Sequence, residues 1–191
     1  MKIKKINAFL SLVTILALLV HVGCIVFSYL TFIYDPVAIK MTARPFLLLA
    51  GLHAILGMAM LIFSSDGTRL DLYPRQNAAT VLQRISAILL IPLVVLHIRL
   101  FKLLTACAEG GQWTGFTLLM LTQPVFYGVL FTHVAVSVTR ALVTLGWLSS
   151  LEKKKTIDRI VYIASAVLFL LTVWAVIQGE LGMFLSPGGT S

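Results

Sequence analysis

Apolar residues run along this chain in five long blocks separated by short polar stretches. The blocks cover about 8–33, 45–63, 80–104, 116–148 and 160–184. None shows the strict apolar–polar alternation of a barrel strand. A helix needs about 20 apolar residues to cross the hydrocarbon core of a bilayer, and each block is of that order. Backbone groups in lipid must satisfy one another, so the blocks are expected to be helices. The pattern predicts an all-α membrane protein, one domain spanning 1–191, built as a bundle of five transmembrane helices. Pro45 suits the first turn of the second helix, after a loop over 34–44. Pro92 falls inside the third helix and should bend it. A loop over 149–158 is expected before the fifth.

Composition agrees. Of 191 residues, 59% are hydrophobic and 12% charged, against about 25% charged in a soluble domain. The net charge of +8 would suit nucleic acid if it were clustered. The Lys and Arg residues instead sit mostly at block ends, as topology signals and contacts to anionic lipid do. Lys2, Lys4, Lys5, Arg69, Arg75, Arg84, Lys153, Lys154, Lys155 and Arg159 share one side, and Lys40, Arg44, Arg99 and Lys102 the other. This bias places the N-terminus in the cytoplasm and the C-terminus outside. The basic start resembles a signal peptide, but the run after it is too long for one and reads as an uncleaved first span. Cys24 and Cys107 suggest neither a disulfide framework nor a metal cluster.

The chain has four histidines, one in each of the first four blocks: His21, His53, His97 and His133. An imidazole inside a membrane needs a metal, a hydrogen bond or water. One such residue is ordinarily a helix–helix hydrogen bond. Four in successive spans point to paired ligands, the usual way a bundle holds b-type haem with both axial positions of iron filled. Depth assigns the pairs. At ~1.5 Å per residue, His21 stands ~21 Å and His97 ~26 Å above the cytoplasmic ends of their spans. His53 stands ~16 Å and His133 ~20 Å by the same rise. His21 with His97 is therefore the outer pair, and His53 with His133 the inner. Zinc or di-iron sites would want thiolates or carboxylates beside the imidazoles, and no Asp or Glu lies mid-span. Arg140 follows His133 by seven residues on nearly the same face. It can reach a haem propionate or snorkel to the surface.

Three motifs carry a family resemblance. Leu82-Gln-Arg-Ile-Ser-Ala resembles the His-Arg-Ile-Ser-Gly start of a helix in the cytochrome b subunit of succinate dehydrogenases. His53-Ala-Ile-Leu-Gly-Met58 is similar to the haem-ligand segment of the companion anchor subunit. His133-Val-Ala-Val-Ser, with Arg140 and Gly146-Trp-Leu, resembles the ligand helix of the cytochrome subunit. Together, in five spans, they resemble the single-chain, two-haem anchors of succinate:quinone and quinol:fumarate oxidoreductases.

The resemblance implies two haem b groups, His53 and His133 on the one near the iron–sulfur subunit, His21 and His97 on the outer one. It implies a membrane quinone, menaquinone before ubiquinone. Thr80 and Arg84 match a Ser and an Arg that touch quinone in one-haem relatives, and both can donate to a quinone carbonyl. Arg84 can equally pair with a haem propionate or anionic lipid. Asp66 and Tyr73 fall on the same side. Where the companion subunit has Asp-Tyr after its histidine, this chain has Ser64-Ser65. Phe131 and Thr132 stand where some two-haem relatives carry a glutamate, so that proton route is not expected. Gln112, Trp113 and Glu180 are polar candidates at the outer end.

The expected task is electron transfer between membrane quinone and a cytoplasmic iron–sulfur and flavoprotein pair that interconverts succinate and fumarate. The basic loop over 149–158 and the loop over 64–79 would form the docking surface. A two-haem quinol cytochrome of a nitrate reductase, formate dehydrogenase or hydrogenase is the first alternative. A haem-free transporter or assembly protein is the second.

Overall fold

The computed structural model describes residues 2–63 and 74–185. They form five helices: α1 (Lys2–Thr31), α2 (Pro36–Phe63), α3 (Pro74–Glu109), α4 (Trp113–Leu145) and α5 (Leu151–Leu185). All five are long and apolar enough to cross a membrane, and there is no strand among the described residues. The chain is thus a multi-pass helical membrane protein.

Several helix ends differ from the sequence expectation, for local reasons. α2 starts at Pro36, not Pro45. Asp35 caps it: Oδ1 accepts from the backbone N–H of Val37 (2.8 Å) and Ala38 (3.2 Å). Pro36 then takes the first helical position, where a missing N–H costs nothing. Pro45 lies inside the helix. α3 runs on to Glu109 and α5 begins at Leu151, so Lys153, Lys154 and Lys155 ride on the first turns of α5 and not on a loop. Lys154 pairs there with Asp158 at 3.3 Å, one turn on. α4 closes at Gly146, whose φ of +82° is left-handed. The N–H groups of Gly146 and Trp147 return to Val143 and Leu142, both at 3.0 Å, which satisfies the last carbonyls.

The core sits where α1, α4 and α5 meet. Leu18 and Val22 of α1 pack with Phe126, Tyr127, Leu130 and Phe131 of α4 and with Ala175 and Val176 of α5. A second cluster joins Leu100 and Leu104 of α3 to Phe116 and Met120 of α4. α2 leans on α1 and α3 on α4, so the first four helices form two packed hairpins. Extensive packing joins neither α1 to α3 nor α2 to α4 among the described residues. α2 has no buried residue among those described, although every other helix has some.

Hydroxyls inside α1 are satisfied within the helix, Ser11 to the carbonyl of Ala8 and Thr14 to that of Leu10. The α1–α5 contact depends on close approach: a Cβ built on Gly179 would overlap the Tyr29 ring. Gly179→Ala should therefore force the two helices apart. Overpacking of this kind costs about 1–3 kcal/mol, which thermal unfolding in detergent will register as a lowered midpoint.

Candidate functional site

The four histidines are positioned by their helix neighbours in a common way. His53 on α2 meets Asn7 on α1, Nδ1 to Oδ1 at 3.0 Å. His21 on α1 meets Thr42 on α2, Nδ1 to Oγ1 at 3.2 Å. His133 on α4 meets α3, its Nδ1 lying 3.0 Å from Ser86 Oγ and 3.2 Å from the carbonyl of Gln83. Each contact lies inside one hairpin.

The partners favour one of the two ring tautomers. The Gln83 carbonyl only accepts, and the Ser86 hydroxyl already donates to it at 3.0 Å. The 3.2 Å contact with the Gln83 carbonyl is a hydrogen bond in the tautomer in which Nδ1–H of His133 donates. The Thr42 hydroxyl can donate to the carbonyl of Ala38 or Ile39, and its oxygen can then accept from Nδ1–H of His21. The amide oxygen of Asn7 accepts from His53. The contacts of all three rings suit a proton on Nδ1, the tautomer in which Nε2 keeps the lone pair a metal needs. A histidine whose second nitrogen is tied to an acceptor is the ordinary form of a metal ligand.

The rings also come together across the hairpins. His53 and His133 face each other with ring centres 6.4 Å apart and planes at 61°, although α2 and α4 are not closely packed. Two imidazoles on opposite sides of one metal ion, each through a bond of about 2 Å, place their ring centres roughly 6 Å apart. The spacing fits an iron between them. A Cβ on Gly57, one turn beyond His53, would meet nothing within 4 Å. That position of α2 therefore has room for a neighbouring group.

His97 lies near enough to His21 for their charges to interact. His21 stacks on Phe46 at 6.0 Å. His97 stacks on Phe126 at 4.5 Å and meets Tyr127 edge-on at 5.9 Å. Its Nδ1 is buried without a hydrogen-bond partner. Among the described residues, no three His, Cys, Asp or Glu side chains gather as a metal cluster.

Below His133 the helices carry a polar ladder. Gln83 Nε2 donates to Ser137 Oγ at 2.9 Å. Arg140 donates to Thr80 Oγ1 at 2.6 Å. Arg84 is close enough for its charge to act on Arg140. The structure thus brings together Thr80 and Arg84, expected at a quinone, and Arg140, expected with Arg84 at a haem propionate. Two guanidinium groups and a hydroxyl at one end of a ligand helix suit an anionic group such as a propionate. Asp66 and Tyr73 lie outside the described residues. Gln112 and Trp113 are exposed. Glu180 is buried, with Oε2 unpartnered, beside Tyr29 and Tyr127.

Sequence reasoning missed Asn7, Thr42 and the contact of Ser86 with His133. Ser86 falls inside an apolar block, but Asn7 stands just before the first block and Thr42 in the stretch expected to be a loop. What was missing was the register between antiparallel helices. No family model matches the chain, nor does any curated protein or solved structure.

The hydrogen bonds make unequal predictions. Asn7→Leu strands the Nδ1–H of His53 and should cost about 1–3 kcal/mol. Ser86→Ala leaves His133 the Gln83 carbonyl and should cost about 1 kcal/mol or less. Thermal melts of the two variants beside wild type, in one detergent, test that order.

Proposed function

We propose that this chain is the two-haem cytochrome b anchor of a succinate:quinone or quinol:fumarate oxidoreductase in a bacterial cytoplasmic membrane. Its N-terminus is cytoplasmic and its C-terminus outside. It passes electrons between menaquinone and a cytoplasmic iron–sulfur subunit, which serves a flavoprotein subunit where succinate and fumarate interconvert. The observation that carries the reading is the His53–His133 pair, 6.4 Å between ring centres, with Nδ1 of both rings tied to acceptors. The three sequence motifs favour this complex over a nitrate reductase, formate dehydrogenase or hydrogenase cytochrome.

Haem b, when bound, supplies a one-electron carrier at each of two depths. The chain's own residues do the rest. His53 and His133 would hold the inner haem, and His21 and His97 the outer. Asn7, Thr42 and Ser86 hold the rings in the tautomer that leaves Nε2 available and raise its basicity. Arg140 and Arg84 supply positive charge where propionates must be stabilised in a low-dielectric setting. Thr80 and Arg84 can donate to a quinone carbonyl at the same end. The lysines at the start of α5 give the cytoplasmic side a basic surface for the iron–sulfur subunit.

Two substitutions test the pairing and separate this reading from a haem-free transporter or assembly protein. His53→Ala and His133→Ala should each remove about half of the haem, since each destroys one of two sites, and leave the same outer haem in the reduced-minus-oxidised spectrum. Retention of both haems in either variant contradicts the pairing. With wild type, a soluble naphthoquinone should reoxidise the dithionite-reduced protein.

A further inference from the structure

Three of the four histidines have a hydrogen-bond acceptor from the other helix of their own hairpin, and the fourth, His97, has none within hydrogen-bond geometry. The register of α3 against α4 identifies the residue that should fill this place. In an antiparallel pair, each step forward along one helix is matched by a step back along the other. Thr80 meets Arg140 and Gln83 meets Ser137, three residues forward against three back. Ser86 then meets His133 to within one residue. From Thr80, seventeen residues forward is His97, and from Arg140, seventeen residues back is Gln123.

Gln123 is 1% exposed, and its Oε1 is buried without a partner, as is Nδ1 of His97. One atom is an acceptor and the other can be a donor. Their side chains are close enough for the amide to act on the ring, although the two atoms stop short of hydrogen-bond geometry. The terminal torsion of a glutamine is soft, so rotation of the amide can bring them together. Unpaired, both atoms bear the cost of desolvation, and one contact removes it from both.

We propose that Gln123 is the positioning residue of His97: its amide oxygen accepts the Nδ1–H of the ring and leaves Nε2 to the outer iron. The proposal rests on the reading of His97 as a haem ligand. It completes a reciprocal scheme in which α1 and α2 brace each other's ligand, and α3 and α4 do the same. An acceptor on Nδ1–H pushes electron density toward the iron and favours the ferric state. Gln123 therefore tunes the outer haem and leaves the inner one alone.

The test is a redox titration of the purified full-length chain, with haem content measured beside it, for wild type, Gln123→Leu and Gln123→Glu. Gln123→Leu removes the acceptor without adding charge and should raise one of the two midpoint potentials. Gln123→Glu strengthens the acceptor and should lower the same one. The other potential should stay in place in both variants. If Gln123→Leu fails to hold the outer haem, the downward shift in Gln123→Glu carries the test. Two haems in wild type with both potentials unmoved by Gln123→Glu overturn this inference and leave the proposed function standing. Haem-free wild type overturns both.

Discussion

A neutral imidazole inside a bilayer carries one N–H donor and one lone pair, and both must be answered in a solvent that answers neither. This chain answers the donor within each helical hairpin. Asn7 serves His53, Thr42 serves His21, and Ser86 with the Gln83 carbonyl serves His133. The lone pair on Nε2 is then directed away from the hairpin that holds the ring. These braces lie within a hairpin, and one histidine contact, His53 with His133, lies between hairpins.

The packing is consistent with that division. Contacts within the α1–α2 and α3–α4 hairpins are extensive, and α1, α4 and α5 share the main core. The helices whose histidines face each other, α2 and α4, stay apart at the backbone while their rings approach to 6.4 Å. A helix such as α2, with no buried residue among those described, gains little from protein packing on its inner side. A large, flat, apolar cofactor would supply the missing contact area there, since dispersion contacts accumulate over many atoms. The charged end of such a group would meet Arg140 and Arg84, whose mutual repulsion falls when an anion lies between them.

Much of this was legible in the sequence. Five apolar blocks became five helices, because lipid permits little else at that length. Helical rise is nearly constant, so depth alone puts His53 and His133 near one level, and their ring centres lie 6.4 Å apart. The start of α2 was misplaced because Pro45 and Pro36 offer the same local signal, and the Asp35 cap beside Pro36 decides between them. The lysines of α5 read as loop because charge ends an apolar block without ending a helix. The bracing residues were illegible for a different reason. Asn7 and His53 are far apart in sequence, and the rotation of one helix against the next is fixed by packing rather than by composition. The α3–α4 register shows how few contacts are needed to fix it.

The central claim is that the two hairpins close on iron at two levels. The most direct measurement is haem per chain in the protein purified from a haem-sufficient host, by pyridine haemochrome assay against amino-acid analysis. The account requires close to two b-type haems for each polypeptide. A stoichiometric preparation of folded protein with no haem, and no α band in the reduced-minus-oxidised spectrum, would contradict it.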